Sequence, residues 1–351
     1  MSPPPTTPPP TVVPLPVRPR TLSWGIAATG RIARDVGTVL AQHPQMHLAA
    51  VGSRDLARAE ALAAELGAAR GHGSYRDLVA DPQVQAVYVA TPHGVHAPVV
   101  ELALRAGKAV LCEKPLTHRL AESERLVALA RETGTFLMEG MWMRFNPLVR
   151  QLHALVRHGG LGQVRSLTAS IGFPAPYDSA ARLWDPELGG GALLDLGVYV
   201  VDFARLLLGE PDGLLVGGSL APTGVDAEAR MLLSWDAGAQ AALDVSLLRR
   251  LPGTATVVGS LGTAELGPSF YAPTELVLSD GVASVDGHHG GPARFTLDDR
   301  RAGFVGELEE VARCVAAGRT ESAVMPLAES LATMRVLGRA RTLLDASAGA
   351  S

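Results

Sequence analysis

Two adjacent charged residues, Glu113 and Lys114, end an apolar segment and are followed by Pro115 in the stretch "AVLCEKPLT". Lysine is rare in this chain, because Lys108 and Lys114 are its only lysines among 31 lysine and arginine residues. A lysine ammonium can lose its proton in acid–base chemistry, whereas an arginine guanidinium stays charged. Pro115 restricts the backbone of the residue before it. We therefore predict a catalytic role for Lys114; an ion pair in a surface turn is the alternative.

A second group of polar side chains lies in the apolar stretch "GGALLDLGVYVVDFARLLLG", which predicts one long helix. At about 100° per residue, Asp195, Tyr199 and Asp202 share one face of that helix. The unperturbed pKa of a tyrosine such as Tyr199 is about 10. Because a nearby ammonium favours the phenolate, we expect Lys114 to lower the pKa of Tyr199. The alternative is that these residues mark the solvent side of the helix.

The pattern of apolar segments and turns divides the chain into two parts. Apolar segments alternate with helical patterns from Leu22 to about residue 140, which indicates a doubly wound parallel sheet with ligands bound at the carboxyl ends of its strands. From about residue 162 to 295, short segments between Gly, Pro and Asp turns predict a mostly antiparallel sheet. The predicted fold is α/β, with a disordered Pro-rich tail (1–20), a doubly wound nucleotide-binding domain (21–145) and a second, α+β domain (146–345).

Composition limits which ligands and partners the chain is expected to bind. A net charge of -4 provides no basic surface, so no nucleic acid is expected. The two cysteines, Cys112 and Cys314, lack the spacing of a zinc site or a disulfide framework, so we expect no metal and a cytoplasmic location. The first 20 residues contain nine prolines and predict an extended tail, with docking on a partner's aromatic groove as the alternative. No apolar run is long enough to predict a membrane span.

The stretch "WGIAATGRIAR" follows the first predicted strand and begins a helix, where a dinucleotide-binding fingerprint belongs. Aligned with G-x-G-x-x-G/A it reads Ala28, Gly30 and Ala33, so the first glycine is absent. Ala28 can serve there only if the turn does not need a positive φ. The alternative is an ordinary strand-turn-helix. The cofactor contacts expected in this loop are Ala28, Thr29, Gly30, Arg31 and Ile32.

The end of the second predicted strand indicates which nicotinamide cofactor is preferred. An NAD site usually has an acidic residue there for the ribose 2'-hydroxyl. This chain has Ser53, Arg54 and Arg58 in "VGSRDLARA", which suit a 2'-phosphate. We interpret Asp55 as the N-cap of the following helix, although it could be the ribose acid shifted by a residue or two. NADP(H) is therefore predicted over NAD(H).

Three motifs in order, "TPHGVHA", "EKPLT" and "GGGALLDLGVYVVDFARLLLG", resemble those of the Gfo/Idh/MocA oxidoreductases. The resemblance runs from about Leu22 to the last predicted helix. The segment "MWMRFNP" is similar to that of the dihydrodiol and NADP-dependent xylose dehydrogenase branch, whose members tolerate loss of the first fingerprint glycine. The resemblance implies a Rossmann domain followed by an open-faced sheet that often forms a dimer interface, hence a homodimer or homotetramer.

The resemblance also implies roles for single residues. Lys114 would hydrogen-bond the reacting oxygen, Tyr199 would exchange the proton, and Asp195 would position the substrate or relay a proton. Glu113 would hold the cofactor side of the site, and His96 would shape the nucleotide pocket. Thr91, Pro92 and Arg144 complete the expected cofactor contacts.

The expected walls of the substrate site are Trp142, Phe173 and Trp184. For Trp142 and Arg144 the alternatives are a core position and a domain-interface ion pair, and Phe173 and Trp184 could simply cover the sheet. We assign His93 to capping or packing.

The function predicted from these residues is hydride transfer between NADP(H) and the carbinol or carbonyl carbon of a sugar, polyol or cyclic vicinal diol. Two alternatives remain open, an NAD-dependent glycosidase of the same family and a non-catalytic NADP-binding regulator.

Overall fold

The structure is a computed structural model that describes residues 22–279, 281–282 and 292–348. The predicted tail at 1–20 lies outside these ranges. The strands are β1 (Leu22–Ala27), β2 (Met46–Gly52), β3 (Arg70–His72), β4 (Ala86–Val89), β5 (Ala109–Glu113), β6 (Leu137–Gly140), β7 (Val164–Gly172), β8 (Gly213–Leu220), β9 (Asp226–Ser234), β10 (Gln240–Ser246), β11 (Ala255–Gly259), β12 (Thr263–Gly267), β13 (Glu275–Leu278) and β14 (Ala293–Thr296). The helices are α1 (Arg31–Gln42), α2 (Leu56–Leu66), α3 (Tyr75–Ala80), α4 (His96–Arg105), α5 (Leu120–Thr133), α6 (Pro147–Arg157), α7 (Val198–Leu208), α8 (Ala302–Ala316) and α9 (Leu327–Ala348).

The first sheet has the strand order β3-β2-β1-β4-β5-β6, and all its described pairs are parallel. Its central strands β4 and β5 are buried at every residue, as expected for a sheet covered on both faces. The order reverses direction between β1 and β4, which opens a crevice at the carboxyl ends of the strands. The predicted doubly wound parallel sheet is confirmed.

The second sheet has the order β14-β13-β12-β11-β7-β10-β9-β8. Its pairs are antiparallel except for β7 with β10, which confirms the mostly antiparallel prediction. One face packs against α7 and α9. On the opposite face apolar side chains such as Leu215, Leu232 and Val258 remain exposed, so the sheet is open-faced.

The stretch predicted as one long helix has a break in regularity. It begins as a π-helical turn, Leu193–Gly197, and continues as α7. A π turn holds more residues than an α turn and shifts the phase of everything after it. The side chains of Asp195 and Asp202 therefore do not share the narrow face that a regular helix predicts.

Lys108 is not the ordinary solvated residue that its place at the start of β5 suggests. Its ammonium donates to the carbonyl oxygens of Asp81 at 3.0 Å and Val84 at 2.6 Å, and its side chain is part-buried. It closes the loop before β4, at the end of the sheet away from the crevice. Lys108 therefore has a structural role, which distinguishes it from Lys114.

Glu139, on β6, anchors the chain just after the charged strand end. Its Oε1 accepts a hydrogen bond from the backbone N–H of Leu116 at 3.0 Å, and the residue is buried. The peptide bond between Lys114 and Pro115 is cis. Burial raises the pKa of Glu139 to about 7, against the lowering effect of its hydrogen bonds. Glu139 therefore titrates near neutral pH in the folded chain.

Among the described residues, no helix combines the length and apolar content needed to cross a bilayer.

We expect Glu139→Gln to remove one component of the pH dependence of stability. Because the folded-state pKa of Glu139 lies above the unfolded value of 4.5, ionising it costs the folded protein about 3 kcal/mol as pH rises from about 4.5 through 7. Glutamine keeps an acceptor for Leu116 but cannot ionise. Urea unfolding between pH 5 and pH 8 should show the wild type losing stability relative to the variant. The exposed Glu265→Gln is the control, and equal pH slopes for wild type and Glu139→Gln would contradict the assignment.

Candidate active site

A cavity of about 820 Å³ opens where the carboxyl ends of β1, β2, β4 and β5 face the π-helical turn, α7 and the start of α8. It has two ends with different chemistry, a backbone-rich end at the β1–α1 loop and an end with charged and aromatic side chains near Lys114. The lining residues are Ala28, Thr29, Gly30, Arg31, Ile32, Asp35, Thr38, Ser53, Arg54, Arg58, Tyr75, Ala90, Thr91, Pro92, His93, Glu113, Lys114, Trp142, Arg182, Asp195, Tyr199, Arg300, Arg301 and Phe304.

Most of the predicted site residues line this one cavity. All three predicted catalytic residues line it, as do the predicted cofactor contacts of the β1–α1 loop, of the β2 end and of the β4 end. Four predicted residues do not line the cavity: His96, Arg144, Phe173 and Trp184.

His96 stands one layer behind the cavity. Its ring nitrogens lie 2.9 Å from the carbonyl oxygen of Pro115 and 2.8 Å from that of Thr91, and the side chain is fully buried. It ties the end of β4 to the segment after β5. His96 therefore supports the pocket through the backbone of Thr91 and Pro115 and has no surface in the pocket.

Arg144 points away from the cavity into a buried ion pair. Its guanidinium donates to both carboxylate oxygens of Asp202, at 2.8 and 2.7 Å, and to Glu329 at 3.0 Å. It faces a separate cavity of about 600 Å³ that Arg150 and Arg157 also line. This is the arrangement that the ion-pair alternative describes, and it explains why Asp202, one of the three residues expected to share one helix face, is turned away from the cavity.

Of the three aromatic residues predicted to line the substrate site, only one lines the cavity. Trp142 lines the cavity, whereas Trp184 is buried, with its indole N–H donating to the carbonyl of Pro176 at 2.8 Å. Phe173 is exposed at the end of β7, outside the cavity wall. Tyr177 packs edge-on against Trp184 at 5.4 Å, so this pair stiffens the loop before the π-helical turn.

The backbone-rich end of the cavity fits a pyrophosphate. No side chain caps the N-terminus of α1, so the N–H groups of its first turn are left for a ligand. A Cβ built at Gly30 would meet nothing within 4 Å, which shows open space beside the loop. The condition placed on Ala28 is not met, because its φ is 136°, a value at which only glycine is unstrained, although Ala28 does line the cavity. The hydrogen bond from the Ala28 N–H to the Gly52 carbonyl, at 3.0 Å, holds the turn in place.

The arginines at the end of β2 have no competing acidic partner. Asp55 caps α2, where its Oδ1 accepts the N–H of Arg58 at 3.2 Å, as its interpretation as an N-cap requires. Ser53, Arg54 and Arg58 all line the cavity, while Asp55 does not. Within the described ranges neither guanidinium makes a hydrogen bond or an ion pair through its side chain. This end of the cavity therefore suits an anionic group on a ribose.

At the other end, Lys114 and Asp195 form the centre of a compact charge cluster. The Lys114 ammonium donates to the backbone carbonyl of Asp195 at 2.7 Å and lies 3.7 Å from its Oδ1. Arg182 donates to the same Oδ1 at 2.9 Å. Burial acts to raise the pKa of Asp195, but Lys114, Arg182 and His93 together hold that pKa well below its usual range. Asp195 is therefore a carboxylate at any pH at which the enzyme would work.

His93 belongs to this cluster, which corrects its assignment to capping or packing. Its Nδ1 lies 2.9 Å from the carbonyl oxygen of Gly189 and must donate to it, and its Nε2 lies 3.9 Å from Oδ1 of Asp195. Burial and the positive charge of Lys114 lower the pKa of His93 to about 3. The ring is thus neutral with an unprotonated Nε2 that can accept a hydrogen bond.

Tyr199 is a protonated phenol, against the expected lowering of its pKa. Burial, and next Glu113, raise the pKa of Tyr199 well above its usual range. The Lys114 ammonium lies 4.7 Å from the centre of the ring, a cation–π position over the face rather than a contact with the hydroxyl. The indole N–H of Trp142 donates to the Tyr199 oxygen at 2.8 Å. Tyr199 is therefore placed to give a proton.

Glu113 is held from behind by Tyr88, a residue that the sequence did not single out. The Tyr88 hydroxyl donates to Oε1 of Glu113 inside the first sheet. Burial raises the pKa of Glu113, while Tyr88 and Lys114 act to lower it. The carboxyl of Glu113 lines the cavity between the cofactor end and Lys114.

Sequence reasoning missed several other members of the wall. Arg182 comes from the loop "PAPYDSAARLWDPE", whose polar side chains no sequence pattern places relative to the first sheet. Tyr75 is the first residue of α3, and Arg300, Arg301 and Phe304 lie near the start of α8. No local sequence pattern shows that α3 and α8 approach the carboxyl ends of the first sheet. Within the described residues, no three histidine, cysteine, aspartate or glutamate side chains cluster as a metal site requires.

Two family models match the chain. One, described as "Oxidoreductase family, NAD-binding Rossmann fold", matches residues 22–141. The other, described as the GFO/IDH/MocA C-terminal domain, matches residues 149–265. Together the two models cover more than half of the chain.

Relatives named trans-1,2-dihydrobenzene-1,2-diol dehydrogenase are similar over nearly the whole length. The protein from Mus musculus is 38% identical over 327 residues, covering 91% of this chain and 96% of its own. The protein from Xenopus laevis is 34% identical over 312 residues, covering 88% and 93%.

Solved structures of two other enzymes share the fold. An aldose-aldose oxidoreductase from Caulobacter crescentus, complexed with glycerol, has a TM-score of 0.82 and 26% identity, covering 93% of this chain and 98% of its own. A 3-ketoreductase from Actinomadura kijaniata, in complex with NADP and TDP-benzene, has a TM-score of 0.78 and 28% identity, with 92% and 98% covered.

We expect Ala28→Gly to stabilise the protein, because glycine adopts the positive φ of this position without strain. The gain should be about 1 kcal/mol, since the relief of strain exceeds the added freedom of the unfolded chain. Urea unfolding is the measurement. Ala33→Gly, in the same segment but inside α1, is the control and should destabilise by about 1 kcal/mol or more. Destabilisation by both changes would show that the Ala28 turn is not strained.

Proposed function

The chain belongs to the Gfo/Idh/MocA oxidoreductase family, and on that premise we propose that it transfers a hydride between NADP(H) and the carbinol or carbonyl carbon of a sugar, polyol or cyclic vicinal diol. One observation carries the proposal. A single cavity has a phosphate-binding loop at one end and, at the other, the ammonium of Lys114 beside the phenol of Tyr199 and the carboxylate of Asp195.

The residues present fit a dinucleotide, which would lie with its pyrophosphate at the N-terminus of α1 and its nicotinamide toward Lys114. When bound, the nicotinamide supplies or accepts the hydride. The protein's own task is then to hold the substrate oxygen, to move one proton, and to exclude water.

Tyr199 and Lys114 divide the work at the substrate oxygen. In the reducing direction Tyr199, kept protonated by its surroundings, donates its proton to the oxygen as negative charge develops there. Lys114 has two N–H groups left after its bond to the Asp195 carbonyl, and it donates one of them to the same oxygen. In the oxidising direction Tyr199 takes the proton back.

Asp195 and His93 suit a substrate with more than one hydroxyl group. The Asp195 carboxylate stays ionised and accepts hydrogen bonds, and Nε2 of His93 is a second acceptor 3.9 Å away. A hydroxyl on the carbon next to the reacting one would find an acceptor here while Lys114 and Tyr199 hold the reacting oxygen. This pairing of donors and acceptors supports sugars, polyols and vicinal diols over simple alcohols.

Two kinds of support favour NADP(H). Arg54 and Arg58 line the cavity beside Ser53, neither makes a side-chain ion pair within the described ranges, and the adjacent acid, Asp55, is engaged as a helix cap. The Actinomadura 3-ketoreductase, a structural relative, is in complex with NADP. The names of the Mus musculus and Xenopus laevis relatives support a cyclic diol, and that of the Caulobacter enzyme supports an aldose.

We also propose that the chain forms a homodimer or homotetramer through its second sheet. The face opposite α7 and α9 presents exposed apolar side chains, including Leu215, Leu232 and Val258. Apolar side chains exposed on one face of a sheet suit a protein interface, and a second copy of the sheet would cover them.

Loss of either proposed catalytic group should slow turnover on the best substrate. We expect Lys114→Ala and Tyr199→Phe each to lower kcat by about 10²- to 10⁴-fold, because each removes a donor that acts on the developing charge. The assay is NADP reduction across aldoses, inositols and trans-dihydrodiols. Lys108→Ala is a matched control, since the only other lysine is structural and lies away from the cavity. Full turnover in both variants would refute the assignment.

Cofactor choice should depend on Arg54 and Arg58. We expect each change to alanine to raise KM for NADP by about tenfold or more, from loss of a charge-assisted contact, with little change in KM for NAD. Kinetics with both cofactors test this, and Arg76→Ala, an exposed arginine on neighbouring α3, is the control. A wild type that prefers NAD would refute the proposed selectivity without affecting the catalytic assignment.

A further inference from the structure

Trp142 touches the proposed proton donor directly. Its indole N–H donates to the Tyr199 oxygen at 2.8 Å, and both side chains are buried. The contact joins the turn after β6 to the first turn of α7, 57 residues farther along the chain. Trp142 also lines the cavity, so its ring lies next to the place where substrate and nicotinamide would meet.

The chemistry of an indole makes this contact directional. Indole has an N–H donor and no acceptor in the ring plane, so the Tyr199 oxygen must be the acceptor. The single hydroxyl hydrogen of Tyr199 is then not used by Trp142 and must be donated elsewhere. We propose that Trp142 is a positioning residue, whose N–H aims the hydroxyl hydrogen of Tyr199 toward the substrate oxygen and stabilises the phenolate that proton transfer leaves. This inference rests on the proposed function of Tyr199.

The indole is held firmly enough to set a direction. Its ring stacks on Phe304 with a centroid distance of 4.0 Å and an interplanar angle of 7°, and it meets Tyr271 edge-on at 6.2 Å. The backbone of α8 approaches closely, since a Cβ on Gly303 would lie 2.6 Å from the Trp142 carbonyl oxygen. Because Phe304 covers one face of the indole and Tyr271 contacts its edge, the indole N–H is held in one orientation.

The surroundings of Tyr199 explain why such a donor is needed. The ionisable groups that face it from neighbouring elements are Glu113 of β5, Asp195 of the π-helical turn, Tyr271 of the segment before β13, Tyr88 of β4 and Lys114. Glu113, Asp195 and Tyr271 all disfavour the phenolate, as does burial, and Lys114 lies over the ring face. The Trp142 N–H is the hydrogen bond that opposes these effects at the oxygen itself.

The proton transfer balances with the hydride of the proposed reaction and one proton from water. In reduction, the Tyr199 O–H bond breaks and a new O–H bond forms at the substrate oxygen as the carbonyl carbon gains its hydride. The phenolate that remains accepts the Trp142 N–H until water reprotonates it. In oxidation the phenolate must form first, so loss of the indole N–H should affect that direction more.

The test is to remove the N–H without changing the shape of the side chain. Incorporating β-(3-benzothienyl)alanine at position 142 replaces the N–H by sulfur in an otherwise similar ring, and Trp142→Phe is the second variant. We expect kcat for substrate oxidation to fall about tenfold or more in both, as loss of a hydrogen bond to a charged oxygen predicts. In this direction Tyr199 must be a phenolate, so the rise of kcat with pH that reports Tyr199 should move to higher pH by about one unit, while KM for NADP changes less than twofold.

Two controls separate this inference from its alternatives. Trp235→Phe removes another buried indole N–H, bonded to the Gly209 carbonyl at 3.3 Å, and should leave kcat and its pH profile unchanged. If benzothienylalanine at position 142 leaves kcat and the pH limb as in the wild type while Tyr199→Phe is slow, Trp142 only packs and the inference is overturned. If Tyr199→Phe itself keeps full turnover, the proposed function of Tyr199 fails first.

Discussion

The hydrogen bond from the Lys114 ammonium to the backbone carbonyl of Asp195, at 2.7 Å, joins the two halves of the active site. It links the end of a buried strand of the parallel sheet to a π-helical turn 81 residues later. The bond can form only because both ends are fixed. Glu139 holds the backbone at Leu116 behind Lys114, and the π-helical turn carries the Asp195 carbonyl that accepts from Lys114.

Because these ionisable groups are buried close together, each of them is held in one protonation state. Lys114 and Arg182 surround Asp195 and keep it ionised, whereas burial and the negative field of Glu113 keep Tyr199 protonated. Neutral His93 completes the set, because burial and Lys114 oppose its protonation. One cavity end therefore contains a cation, an anion, a neutral acceptor and a proton donor within a few ångströms. Solvation in water would give none of these groups so fixed a role.

The sequence predicted the parts of the site that local chemistry encodes. The alternating pattern revealed the parallel sheet, and hence the place of Glu113 and Lys114 at a strand end; the capping role of Asp55 followed from its position before a helix. The missed features depend on tertiary geometry. The positive φ of Ala28, the π turn that parts Asp195 from Asp202, and the approach of Phe304 are set by packing, which a one-dimensional pattern does not contain.

The segment "MWMRFNP" shows how one tight turn serves two sides of the molecule. Trp142–Phe145 forms a 3₁₀ turn, in which residues two positions apart point in different directions. Trp142 therefore reaches the cavity and Tyr199, while Arg144 reaches Asp202 on the far side of α7. The Arg144–Asp202 pair is buried on both sides, so losing one partner would leave an unpaired charge in the core. Since Tyr199 and Asp202 lie on the same helix, the ion pair fixes the rotation of α7 that brings the Tyr199 oxygen to the Trp142 N–H.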